Sequence, residues 1–269
     1  MKIRLHVVLA SMALGLVPNL SRAEDTAAAP TAPTAAAPAD PLSFNIGAFS
    51  EYRYRGISQT RFNPAVQGGI DYAPASGLYV GTWMSNINWI HDVGTVAHAD
   101  VGRAPIEWDL YGGYKGSITA DLTYDVGVLA YYYPDNHLGA VPGSKNADTV
   151  EIYGALSYGP ATVKYSNAVT TLFGFQDSRN SGYLEAVANF DVGSGFSVAP
   201  HLGYQHVTGS TNHDASYTDY SLTGSKDFGN GWVISLAAIG TNAKLDTYAS
   251  PSGKNLGRAT AVLGVKKTF

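Results

Sequence analysis

Connections of two alternating lengths divide this chain and constrain its fold more than any other feature. Five tight connections, rich in the glycine, proline and asparagine that hairpin turns use, alternate with longer ones. The longer connections lie near 56–64, 89–105, 134–147, 173–180, 208–215 and 242–258. Short turns at one end and long loops at the other are typical of an antiparallel transmembrane β-barrel.

The segments between these connections alternate apolar and polar residues with the period of a β-strand. Twelve such segments lie near 43–55, 65–73, 78–88, 106–116, 120–133, 148–158, 161–172, 181–191, 196–207, 216–227, 231–241 and 259–269. Most have about the 9–11 residues that a tilted strand needs to cross a bilayer. We therefore expect residues 42–269 to form an all-β, transmembrane antiparallel barrel of about 12 strands. No window after the first 23 residues approaches 18 consecutive apolar residues, which excludes spanning helices.

The N-terminus has the layout of an export signal. Lys2 and Arg4 precede the apolar stretch from Leu5 to Val17, and Ser21 and Ala23 supply the small residues that a signal peptidase reads. We predict a cleaved signal peptide at 1–23, the alternative being an uncleaved membrane anchor. Residues 24–41 are mostly alanine, proline, threonine and aspartate, which favours an extended periplasmic linker.

Charge and cysteine content limit the partners. The chain has 17 basic and 21 acidic residues, and three of the basic ones fall in the signal segment. The remaining acidic excess argues against nucleic acid, which requires a basic surface. Cysteine is absent, so neither disulfides nor a lipoprotein anchor are available.

Three residue types support a membrane location. The chain has 18 tyrosines and 4 tryptophans, many near strand ends, where amphipathic rings suit a membrane interface. The last strand ends on Phe269, which resembles the signal that the barrel-assembly machinery recognises. Glycines within strands permit bending and keep the interior open, and Pro200 within a strand predicts a bulge.

The parity of the strands predicts which charged residues face the barrel interior. If Phe44, Ile46 and Ala48 face lipid, the charges of the opposite parity point inward, since a cation facing mid-membrane lipid costs about 2–4 kcal/mol. The inward candidates are Glu51, Arg53, Arg55, Glu107, Asp109, Lys115, Asp125, Glu151, Lys164 and Glu185. They either line a water-filled pore, which we favour, or pair across a plugged interior.

No motif indicates catalysis, and we expect neither an enzyme nor a cofactor. A P-loop, H-E-x-x-H and G-x-S-x-G are all absent. His91 and His98 share a loop with Asp92 and Asp100, but we interpret this as a solvated loop and not a metal site. Two alternatives stay open: a lipid-acting barrel enzyme, for which the sequence near His206 gives thin support, and a closed structural or adhesin barrel.

Several segments together resemble the TorF family of porins. They are residues 51–60 (EYRYRGISQT), 64–72 (PAVQGGIDY), 76–86 (SGLYVGTWMSN), 106–114 (IEWDLYGGY), 124–134 (YDVGVLAYYYP) and 150–153 (VEIY). The resemblance covers most of residues 43–269 and implies an outer-membrane location and a porin role. We therefore expect passive diffusion of small hydrophilic solutes or ions, after Sec export to the cell outer membrane of a Gram-negative bacterium. The expected partners are outer-membrane lipids, lipopolysaccharide and the barrel-assembly machinery.

Overall fold

The computed structural model describes residues 40–269, so the predicted signal peptide and nearly all of the linker lie outside the described residues. The strands are β1 (Leu42–Phe49), β2 (Arg53–Tyr54), β3 (Ile57–Ser58), β4 (Ala65–Tyr72), β5 (Leu78–Asn86), β6 (Ile106–Ser117), β7 (Leu122–Tyr132), β8 (Thr149–Tyr158), β9 (Ala161–Ala168), β10 (Gly182–Ala188), β11 (Phe190–Gly193), β12 (Phe196–His206), β13 (Tyr217–Asp227), β14 (Trp232–Thr241) and β15 (Thr260–Thr268). One α-helix, α1 (Trp89–Ala97), and a 3₁₀ turn (Leu138–Ala140) lie in loops. No helix within 40–269 is long and apolar enough to cross a membrane.

These strands form a closed, 12-stranded antiparallel barrel, which confirms the predicted fold class. Sequential wall strands pair with one another, and β1 pairs with β15 to close the seam between the two ends of the chain. Strands β10 and β11 both pair with β12 and together make one wall strand. The short hairpin of β2 and β3 is a separate sheet that lies outside the wall.

Side chains alternate across the wall as the period-two pattern predicts. Phe44 and Ile46 on β1 are exposed on the outer face, whereas Gly47 and Phe49 are buried inside. Strand β7 repeats this arrangement, with Val126 exposed outside. The outer face is therefore a band of apolar side chains suited to lipid, and the inner face carries the polar groups.

The strand around Pro200 differs from the prediction of a bulge. The register between β12 and β13 continues through Pro200, which pairs with Leu222. On its other side the ladder is interrupted between β10 and β11, because proline has no N–H to donate. The register shift lies between Asp191 and Gly193, next to the tight turn.

Inward glycines accommodate aromatic rings from neighbouring strands. A Cβ atom built on Gly127 would lie 2.5 Å from the hydroxyl oxygen of Tyr153, its partner across the ladder. Gly81 and Tyr111 are paired in the same way, with a Cβ-to-ring distance of 2.5 Å. These glycines allow the rings to lie against the wall, so close ring packing is a more specific explanation for them than the predicted bending.

The first strand is shorter than the sequence predicts. It ends at Phe49, and residues 50–64 leave the wall and fold into the barrel. Arg55 and Gly56 both have positive φ, of 46° and 76°, so they form the two-residue turn of the β2–β3 hairpin. Tyr52 and Tyr54 share the parity of Phe44 and would face lipid if the strand continued, but both are buried as a consequence.

Candidate functional site: the plugged lumen

The loop of residues 50–64, called the plug below, fills the long-loop end of the barrel interior. Every residue from Glu51 to Thr60 is buried. The plug starts between β1 and β4 and contacts side chains of β6, β8 and β12 on other parts of the wall. It therefore crosses the whole lumen and does not line one side of it.

Arg55, at the tip of the plug, is fixed to the wall by ionic, polar and aromatic contacts. Its two terminal nitrogens donate to the two carboxylate oxygens of Glu151 on β8, at 3.1 and 2.8 Å. One of them also donates to Oε1 of Gln205 on β12 at 2.6 Å. The guanidinium carbon lies 4.1 Å from the ring centroid of Tyr183 on β10 and 4.8 Å from that of Tyr54. A bidentate pair stacked on aromatic rings is the geometry in which arginine binds most strongly.

Arg53 holds the plug together and joins it to the last long loop. Its Nε donates to Glu51 at 2.9 Å, and Nη1 donates to the carbonyl oxygens of Gly56, Leu256 and Arg258 at 2.7, 2.9 and 3.2 Å. The side chain is fully buried. Arg53 therefore serves as a hub for backbone carbonyls and has no access to a water-filled path in this conformation.

Tyrosines connect the plug to the acidic side of the wall. The hydroxyl of Tyr52 donates to Glu107 at 2.6 Å, and that of Tyr133 donates to the other carboxylate oxygen at 2.8 Å. The hydroxyls of Tyr54 and Tyr131 lie 2.8 Å apart. These hydrogen bonds satisfy carboxylates that would otherwise be costly to bury.

The stem of the plug has a weaker, more accessible ion pair. Arg61 Nε donates to Asp92 on α1 at 2.7 Å, and the arginine side chain is 36% exposed. The same loop also carries His91 and His98. Those two histidines line a cavity of about 770 Å³ between α1 and the loop after β7, together with Gly94, Thr95, Ala99, Asp100, Val101, Gly102, Arg103, Asp135 and His137. No group of residues within 40–269 has the geometry to hold a metal ion.

The rest of the lumen is lined by ion pairs between neighbouring wall strands. Lys115 on β6 lies 3.7 Å from Asp125 on β7, which also accepts a hydrogen bond of 2.6 Å from Tyr79. On another part of the wall, Lys164 lies 3.8 Å from Glu185.

His201 on β12 lies next to this second ion pair. It lies 3.3 Å from Glu185 and 3.4 Å from Asp219 on β13. Acidic and basic side chains thus lie next to each other on these wall strands.

All ten candidate residues predicted from the sequence lie inside the barrel, in two different settings. Glu107, Asp109, Lys115, Asp125, Glu151, Lys164 and Glu185 are on wall strands with inward side chains, as parity predicts. Glu51, Arg53 and Arg55 are not wall residues, because the strand ends before them and the plug carries them into the lumen. Whether any of the ten lines a conducting path stays a prediction.

Sequence reasoning missed the inward residues Asp71, Gln205, Asp219 and His201. All four have inward parity on strands that were predicted, so extending the same counting to every strand would have found them. With them, the inward side chains of the described residues include the acids Glu51, Asp71, Glu107, Asp109, Asp125, Glu151, Glu185 and Asp219. The matching bases are Arg53, Arg55, Lys115, Lys164 and Lys266, so the lumen is acidic on balance.

Outside the membrane wall, one loop tyrosine is notable for its environment. Tyr248 in the loop between β14 and β15 donates its hydroxyl hydrogen to the Ala215 carbonyl at 2.6 Å, and burial raises its pKa. Its ring packs edge-on against Tyr217 with centroids 5.2 Å apart. These contacts connect the last long loop, which Arg53 also holds, to the neighbouring loop.

Comparison with known proteins identifies a family and a set of similar folds. A family described as "Bacterial protein of unknown function (Gcw_chp)" matches residues 32–269, and the chain belongs to this family. No curated protein sequence matches the chain.

Two kinds of porin share the fold. The KdgM porin has a TM-score of 0.51 and 9% identity, covering 84% of this chain and 99% of that one. KdgM in complex with disordered oligogalacturonate gives a TM-score of 0.52 and 8% identity, over 85% and 98% of the two chains. The NanC porin gives 0.52 and 11%, over 85% and 98%. The chain therefore has a porin-like barrel fold.

Proposed function

We propose that this member of the Gcw_chp family is an outer-membrane channel for the passive diffusion of small hydrophilic solutes or ions, closed at one end by the plug. The observation that carries the proposal is the combination of a closed barrel, an apolar outer face and an interior lined by paired charges. A polar interior lines the water-filled channel of porins. The shared fold of KdgM and NanC, which are named porins, supports the same function.

The finer details of the proposal come from the sequence. The resemblance to the TorF family supports a porin role, and the layout of residues 1–23 supports Sec export followed by cleavage. Transmembrane barrels have their short turns on the periplasmic side. The long loops and the plug then face the cell exterior, and both termini face the periplasm. Outer-membrane lipids, lipopolysaccharide and the barrel-assembly machinery are then its partners, and it is not an enzyme.

One observation favours a second candidate, a closed structural or adhesin barrel. The plug reaches across the lumen and buries ten consecutive residues, which would block diffusion if it never moved. The two candidates therefore differ in whether the plug leaves its place. For the lipid-acting enzyme, the Thr208 hydroxyl near His206 donates to the Arg179 carbonyl at 2.8 Å and not to the histidine.

Proteoliposome swelling tests the proposal. Liposomes containing the purified chain are placed in isotonic solutions of a pentose, a disaccharide and a large dextran. We expect swelling that falls with solute size and exceeds that of empty liposomes. The matched variant replaces residues 52–60 by a short glycine–serine linker and should swell faster. Swelling equal to empty liposomes for both proteins would favour the closed barrel.

A further inference from the structure

We propose that Glu151, Gln205 and Tyr183 form a site on the lumen wall for the guanidinium group of a basic solute, and that Arg55 of the plug occupies this site as an internal ligand. The inference rests on the proposed channel function and names the solute class that the channel takes. It also explains how a solute releases the plug, because both compete for one site.

The wall holds two of the three contact groups, Gln205 and Tyr183, in place without help from the plug. Gln205 donates from Nε2 to the carbonyl oxygens of Gly182 and His206, at 3.1 and 3.2 Å. Its Oε1 is thereby directed at the arginine nitrogen, 2.6 Å away. The Tyr183 hydroxyl is fixed by Asp219, with both oxygens at 3.1 Å, so its ring presents a face at 4.1 Å from the guanidinium carbon.

Each of these groups recognises a cation. The carboxylate of Glu151 accepts two hydrogen bonds in the fork geometry that suits a guanidinium. An amide oxygen adds a third acceptor, and the tyrosine ring face attracts a positive charge electrostatically. A carboxylate, an amide oxygen and a ring face from three different strands make a complete site for such a group.

The surroundings are acidic as well. Glu185 and Asp219 lie close enough to Arg55 to interact with its charge. In the plugged structure Glu151 is only 2% exposed. Departure of the plug removes its cationic partner, so a cation from solution can replace Arg55 beside this carboxylate.

Competition follows from the shared chemistry. L-arginine carries the same group as Arg55, so it binds only when the plug is out of the site. Its apparent affinity is therefore reduced by the fraction of molecules in which the plug occupies the site. Removing the Arg55 charge should raise that affinity, by about tenfold or more if the plug occupies the site at least nine-tenths of the time.

The test measures L-arginine binding to the purified full chain in detergent by calorimetry, with L-citrulline as the neutral isostere. We expect Arg55→Gln to bind L-arginine at least about tenfold more tightly than the wild type, and L-citrulline not measurably. Adding Glu151→Gln to Arg55→Gln should abolish L-arginine binding. The matched control is Arg61→Gln, a plug-stem arginine paired with Asp92 away from the site, which should bind as the wild type does.

Three outcomes separate the two proposals. Equal binding of L-arginine and L-citrulline by a folded Arg55→Gln variant overturns the site. L-arginine binding without solute entry into proteoliposomes keeps the site and removes the channel. Solute entry that is insensitive to solute charge keeps the channel and removes the site.

Folding is checked by the heat-dependent shift of the barrel on denaturing gels. If Arg55→Gln does not fold, the wild type decides the matter. L-arginine should then increase proteoliposome uptake of a neutral pentose where L-citrulline does not, and equal uptake with both overturns the site.

Discussion

Glu151→Gln should open the channel, because the Arg55–Glu151 pair is the most deeply buried ionic contact between plug and wall. Both side chains are almost inaccessible, at 3% and 2% exposure. Removing one partner of a buried pair costs about 3–5 kcal/mol, since the other charge stays buried and unpaired. Glutamine retains one acceptor, so the lower value applies. The plugged state alone loses this stabilisation, so the population with the plug released should rise about 100-fold.

The assay is single-channel recording of the purified chain in planar bilayers at moderate salt. Glu151→Gln should increase the open probability by about two orders of magnitude over the wild type, or leave the channel open throughout. The double variant Arg55→Gln and Glu151→Gln replaces the ion pair by two amides and should lie between the two, because no buried charge is left unpaired. The coupling between the two sites then follows from the double-mutant cycle.

The matched control is Asp92→Asn, which removes the acidic partner of Arg61. That arginine is 36% exposed, and exposed pairs contribute about 0–1 kcal/mol, so the open probability should change by less than about fivefold. The reasoning would be refuted if Glu151→Gln left the open probability unchanged, or if Asp92→Asn changed it as much. Either result would mean that the buried pair does not hold the plug.

Two further substitutions test the barrel, and the cleavage site tests its export. Gly127→Ala should lower the barrel's unfolding free energy by about 1–3 kcal/mol, because its Cβ would lie 2.5 Å from the hydroxyl oxygen of Tyr153. Gly224→Ala, with open space around it, should leave the unfolding free energy unchanged in urea titrations. Phe269→Ala should reduce outer-membrane levels in cells more than it lowers the melting temperature of the refolded barrel, and Phe228→Ala, another exposed aromatic near the short-turn end, should not. Mass spectrometry should find the exported chain cut after Ala23. An intact N-terminus would show that residues 1–23 are not a cleaved signal peptide.

The barrel could be predicted from the sequence because its determinants are local. Alternation within segments such as 120–133 fixes which face meets lipid, and the lengths of the connections fix which end carries the loops. The structure has strands at all twelve predicted places, with β1 shortened at its end.

The plug could not be predicted, since period-two parity continues past the end of the first strand. Glu51, Arg53 and Arg55 keep the inward parity of β1, so the alternation alone does not show that the chain leaves the wall at Phe49. Gly56 is a local turn signal, but the other residue of the turn is Arg55, and arginine is an unusual residue for positive φ. Parity also gives the face of a residue but not its partner, so the contact between Arg55 and Glu151, 96 positions apart, required the structure.

Ion conductance tests the central claim, a water-filled barrel closed by its own first loop, most directly. The wild-type chain and the variant with residues 52–60 replaced by a short linker are compared in planar bilayers under the same salt. We expect brief, infrequent openings of the wild type and a steady conductance of the shortened variant, with a preference for cations from the acidic lumen. A folded shortened variant that carries no current would contradict the account.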